Sequence, residues 1–167
     1  MRRTTTLLMP LAAALALAVA VPVLASEKRP LPDATVLDSA GRPVALASLG
    51  AEGHWLLIVV GTDSTPSTRL VAALKEWQTE VPQLADRAVL VFPGPGDRVQ
   101  QLVTARGDEM PAARWVVDAD GSAAAALRVT GRPTIVGVVD GRIEWVLAGV
   151  LNDPKTFQKA LTGWVAR

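Results

Sequence analysis

Val129-Thr130-Gly131-Arg132-Pro133-Thr134, running on through Val138-Val139-Asp140-Gly141-Arg142-Ile143, is the stretch on which the fold turns. Thr134 to Val139 and Arg142 to Val150 are two apolar, β-branched runs. They are joined by Asp140-Gly141, a two-residue connection whose residues tolerate the positive φ that a tight hairpin needs. Pro133 stands at the mouth of the first run. A cis bond after Arg132 would cost little compared with one before any other residue type.

Upstream of this hairpin the periodicity alternates between strand and helix. Trp55 to Val60 is a continuous apolar run, as expected of a strand buried on both faces. From Ser64 to Leu84 the period changes: Leu70, Leu74 and Trp77 fall three or four apart, with Val71 and Ala73 beside them and Lys75, Glu76 and Glu80 opposite. Ser64 or Thr65 can cap this helix, Pro66 suits its first position, and Pro82 marks its end. Ala88 to Phe92 is a second strand, broken by Pro93-Gly94-Pro95-Gly96, and Asp97 can cap a helix to about Ala105. Arg114 to Val117 is a third strand, closed by Asp118-Ala119-Asp120-Gly121, after which Ser122 can cap a short alanine helix to about Arg128. Asn152 or Asp153 caps the last helix, Pro154 starts it, and Phe157, Leu161 and Trp164 line its buried face. Ala34 to Asp38 and Pro43 to Leu46 are short extended pieces around a Ser39-Ala40-Gly41-Arg42 turn. Helices between buried strands imply parallel pairing, and the hairpin adds an antiparallel edge. The expected class is α/β, a central mixed sheet flanked by helices with an antiparallel C-terminal hairpin.

Met1 to Ala25 reads as a secretory signal: Arg2 and Arg3, an uncharged stretch from Leu7 to Leu24, and the small residues Val23 and Ala25 before a cut ahead of Ser26. The alternative is an uncleaved anchor, since 18 apolar residues nearly span a bilayer. Residues 26–33 read as a linker and 34–167 as one domain. The expected location is therefore outside the cytoplasm, periplasmic in a Gram-negative cell, with no membrane contact once the signal is gone. The chain carries 17 Lys plus Arg against 16 Asp plus Glu, with no basic run, which argues against nucleic acid as a partner. It contains no cysteine, so it has no disulfides and its stability rests on packing.

The residues resemble the redoxin branch of the thioredoxin superfamily, above all its exported TlpA/ResA-like members, over roughly Leu31 to Val165. Three blocks carry the resemblance. One is Leu56 to Thr62 followed by Asp63-Ser64-Thr65-Pro66-Ser67, where the family has Trp-Cys-x-Pro-Cys. Another is Arg114 to Gly121 with the helix after it. The last is the Val129 to Thr134 loop with its hairpin and Gly149, similar to the family's cis-proline loop. The resemblance implies a thioredoxin-like fold, with Ser64 and Ser67 at the places of the redox cysteines, Pro66 between them, Pro133 facing them and Asp63 in place of a tryptophan. A rival register matches Thr62-Asp63-Ser64-Thr65-Pro66 to the Thr-x-x-Cys-Pro turn of peroxiredoxins, with Thr65 in the reactive place. Neither register holds sulfur. The label the resemblance invites, thiol–disulfide oxidoreductase, therefore conflicts with the chemistry, because exchange needs a thiolate.

A hydrolase using Ser64 or Ser67 is the enzymatic alternative. It needs a base within hydrogen-bond reach. The only histidine, His54, lies at the far end of the first strand, roughly 25 Å away along the chain. Metal ligands are scarce: Asp118-x-Asp120-Gly121 opens like a calcium loop, but Val129 occupies the place of the closing glutamate, so a tight turn is expected. No catalytic residue, cofactor or metal is expected. In the family, the backbone beside the proline pairs with an extended substrate peptide, a form of strand addition that needs no sulfur. On this resemblance Asp63, Arg132, Pro133 and Thr134 are the candidate peptide-binding residues, and Ser64, Thr65, Pro66 and Ser67 the degenerate remnant of the reactive turn. The expected partner is an envelope protein or peptide. Of the five tryptophans, Trp145 is the one expected to be exposed.

Overall fold

A computed structural model of the chain describes residues 28–97, 101, 113–149 and 154–167. The expected signal sequence, most of the helix expected after Asp97, and the expected Asn152 or Asp153 cap lie outside the described residues. The elements run β1 (Arg29–Pro30), β2 (Thr35–Leu37), β3 (Pro43–Ala45), a 3-10 turn (Leu46–Gly50), β4 (His54–Val59), α1 (Thr65–Glu80), α2 (Gln83–Asp86), β5 (Ala88–Pro93), β6 (Arg114–Asp118), α3 (Ser122–Ala126), β7 (Thr134–Val139), β8 (Arg142–Ala148) and α4 (Pro154–Val165). The strands form one mixed sheet in the order β1-β8-β7-β4-β5-β6-β2-β3. β4 pairs in parallel with β5, and β5 with β6, while β4 and β8 are both antiparallel to β7.

The apolar runs of β4 and β5 are buried because both faces of the sheet are covered. Side chains alternate across a strand. Leu56, Ile58, Val60, Ala88, Leu90 and Phe92 therefore join Leu70, Leu74 and Trp77 of α1, Leu84 of α2, and Phe157 and Leu161 of α4 in one core. Trp55, Leu57, Val59, Val89 and Val91 point the other way, against Leu31, Ala34 and Val36, Leu46 and Leu49, and Ala123, Ala124 and Leu127. The Asp140–Gly141 turn takes positive φ at both residues, 49° and 72°, as the hairpin requires.

Four expectations are corrected. Residues 29–33 are not a linker. Arg29 and Pro30 pair with Ile143 and Arg142 of β8, Leu31 is 7% exposed, and its N–H bonds the Gly141 carbonyl at 2.9 Å. The hairpin accordingly does not form the sheet edge along its whole length. Ser122 does not cap α3. Gly121 holds the cap position at φ 75°, and the buried Asp118 carboxylate accepts the N–H groups of Ala123 (3.0 Å) and Ala124 (2.8 Å), while Asp120 accepts that of Ser122 (2.9 Å). Trp145 is half-buried rather than exposed: its indole lies over Gly137, where a Cβ would collide with it, and meets Trp164 edge-on at 5.3 Å. Trp164 is also only half-buried, because Val165 takes the inner position beside Leu161, and its indole N–H reaches the Trp55 carbonyl at 3.1 Å.

Candidate functional site: the serine turn and the Pro133 loop

The site forms where β4 ends and α1 begins. Ser64 has extended backbone angles (φ −104°, ψ 111°), and its hydroxyl oxygen accepts the N–H of Ser67 at 3.4 Å, which makes it the N-cap of α1. Pro66 sits in the first turn, where its missing N–H is no loss. Asp63, Thr65 and Pro66 are exposed and Ser64 is half-buried. Ser67 is different: it is 1% exposed, and its Oγ accepts the backbone N–H of Gly61 at 2.9 Å. That bond ties the end of β4 to the first turn of α1.

Gly61 is the contact point that sequence reasoning missed. A Cβ at Gly61 would sit 3.0 Å from Cβ of Ser64, closer than real side chains normally approach, and 3.4 Å from Cδ of Arg132, in van der Waals contact. The serine turn and the Arg132 loop therefore meet across a residue that has no side chain to separate them. The only signal for this in the sequence was a glycine directly after a strand of bulky residues. The Arg132–Pro133 bond is cis. Pro133 and Thr134 are buried. The Pro133 carbonyl accepts the N–H of Gly149 at 2.9 Å, Thr134 Oγ1 donates to the Gly131 carbonyl at 2.6 Å, and Thr134 pairs with Val59 in the sheet. Pro133 and Thr134, two of the four residues expected to contact a peptide, are thus engaged inside the fold. Arg132 is exposed, and among the described residues its N–H and C=O make no hydrogen bond and its guanidinium no ion pair.

Beneath the turn lies a recess of about 10 Å³, room for a single water, bordered by Gly61, Thr62, Ser67, Thr68, Phe92 and Trp115. Its aromatic wall is a stacked pair, Phe92 on Trp115, with centroids 5.3 Å apart and planes 11° from parallel. His54 begins β4, at the end opposite the turn, and packs against the edge of Trp164 at 4.6 Å. No imidazole therefore reaches Ser64 or Ser67. Among the described residues no group of three or more histidine or carboxylate side chains is arranged to hold a metal ion. Asp118 and Asp120 use their oxygens on the α3 backbone, as the turn reading expects.

No protein-family model matches the chain, and no curated protein matches it in sequence. Solved structures do match it in shape. One is a protein of Chlorobium tepidum assigned as a DsbE thiol:disulfide interchange protein. It has a TM-score of 0.62 and 16% identity over 85% of this chain and 97% of that one. Another is a secreted Mycobacterium tuberculosis disulfide oxidoreductase homologous to E. coli DsbE, with a TM-score of 0.56 and 20% identity over 80% and 95%. A third is an uncharacterized thioredoxin-like protein of Porphyromonas gingivalis, with a TM-score of 0.62 and 19% identity over 81% and 92%. At these identities the likeness is one of fold, and the chain has the thioredoxin-like fold with serine, not cysteine, at the start of its first long helix.

Proposed function

We propose that this chain is an exported, redox-inert thioredoxin-like protein that binds an extended segment of a protein partner in the cell envelope, as an accessory part of a secretion, conjugation or cytochrome-assembly system. The observation that carries the reading is Arg132. It is an exposed residue whose backbone N–H and C=O make no hydrogen bond among the described residues, and it lies beside Gly61, which the serine turn also borders. An incoming extended chain can satisfy those two groups by strand addition, and that interaction is independent of sulfur. Thiol exchange is closed to a chain without cysteine. The serine-enzyme alternative gains nothing, because the Ser67 hydroxyl is buried and bonded and the one histidine is at the other end of β4.

The test is photocrosslinking in intact cells with a photoreactive residue at exposed Thr65, beside the turn, and in a control at exposed Glu52, at the other end of the sheet. A protein adduct formed from position 65 and absent from position 52 is expected. The same adducts from both positions, or none from position 65 while the variant melts normally, would remove the proposed site. Insulin reduction by the purified protein should stay at the uncatalysed rate.

A further inference from the structure

We infer that the segment bound at this site carries a carboxylate and that the Arg132 guanidinium reads it; the inference rests on the binding role proposed above. Two charged residues border the meeting point of turn and loop, Asp63 and Arg132, and both are exposed. Asp63 already has a partner within the protein. Arg132 has none among the described residues, so the charge on offer to an arriving chain is positive.

Its placement differs from that of an ordinary surface arginine. The stem lies along Gly61, with Cβ and Cδ 3.8 and 3.4 Å from the point a Gly61 Cβ would occupy, while the planar fork beyond it makes no ion pair among the described residues. A long side chain whose stem lies against neighbouring backbone has less freedom to lose on binding, and a guanidinium matches a carboxylate with two parallel hydrogen bonds. The same residue supplies a backbone N–H and C=O that no described residue bonds. A chain paired to that backbone therefore brings its own neighbouring side chain, or its terminal carboxylate, within reach of the fork. Both sources present the same chemistry.

Two libraries of random peptides, one displayed with a free C-terminus and one without, panned on the protein would test this. Enrichment of Asp and Glu in both libraries assigns the carboxylate to a side chain. Acid-independent enrichment confined to the free-ended library assigns it to the C-terminus. For a selected peptide, Arg132→Glu should weaken binding about tenfold or more, and Arg132→Lys, which keeps the charge but not the fork, should recover only part of it. Raising the salt concentration should weaken the wild type and not the Glu variant. Enriched peptides with no carboxylate preference, or an Arg132→Glu variant that melts normally and still prefers acid, would overturn the assignment to Arg132 and leave the binding role standing. If neither library yields any ligand, the binding role fails as well.

Discussion

At residue 67 a hydroxyl sits in the interior and holds two elements together. Its partner is the backbone N–H of Gly61, half-buried at the end of β4. The cap was legible to within one residue, Ser64 or Thr65, because a hydroxyl residue just ahead of proline and an amphipathic apolar pattern suits a helix start. The burial of Ser67 was not. Nothing in its residue type separates a serine on the inner face of the first turn from one on the outer face. Only the position of Gly61 decides it. Ser67→Ala should strand the Gly61 N–H and lower stability by about 1–2 kcal/mol. Thr65→Ala, at an exposed neighbouring position, should change it by less than about 0.5 kcal/mol. Denaturant unfolding of the two variants checks this. Equal values would mean that the Gly61–Ser67 bond contributes nothing to stability.

Among the elements, the long periodic ones were placed correctly, and the start of the short α3 was misread because carboxylates two to six residues from the N–H groups they accept supply its cap. Serine at 122 suggested a cap, but Asp118, four residues earlier and fully buried, takes two of the orphan N–H groups. Asp38 does similar work at the β2–β3 turn. Its Oδ1 accepts the N–H groups of Ala40 and Arg42, each at 2.9 Å, and its Oδ2 meets the Arg42 guanidinium at 2.8 Å. The Arg42 backbone N–H, then the Arg42 side chain, hold the Asp38 carboxyl below its ordinary value of 3.8. A group whose pKa is depressed on folding favours the folded state at pH above its unfolded value, and that contribution disappears as pH falls through the folded value. Asp38→Asn should therefore be less stable than the wild type at neutral pH. The gap should close as pH falls below the ordinary carboxylate value. Thermal melts of both proteins across the acid range measure it, and a gap that persists in strong acid would show that the turn does not depend on the charge.

For the whole molecule, the sheet must curl, and the reason lies in the segment that composition suggested was a linker. β1 and β2 lie six strand spacings apart in the sheet order, about 29 Å if the sheet were flat. Only residues 31–34 join Pro30 to Thr35, a reach of at most about 18 Å. The chain can close that gap only because the sheet wraps around the core that holds Trp55, Leu57, Val89 and Val136. Residues 29–34 form a strap across that core's open side. Arg29 is bonded to the carbonyls of Ala126 and Leu127, both at 3.2 Å, at the C-terminal end of α3, and Leu31 and Ala34 are buried beneath. Prolines at 30 and 32 and charges at 28, 29 and 33 hid this from sequence reading, since one buried leucine in a polar run carries no periodicity. If the strap belongs to the cooperative fold, Leu31→Ala should cost about 2–3 kcal/mol, the low end for a buried leucine because the strap can settle inward. Arg29→Ala should cost about 1 kcal/mol through the two lost carbonyl contacts. The double variant should depart from the sum of the two, because both side chains fix the same short segment. Urea unfolding reads all three. Single variants indistinguishable from wild type would place the strap outside the folding unit and leave the core opposite α1 closed by α3 and the 3-10 turn alone.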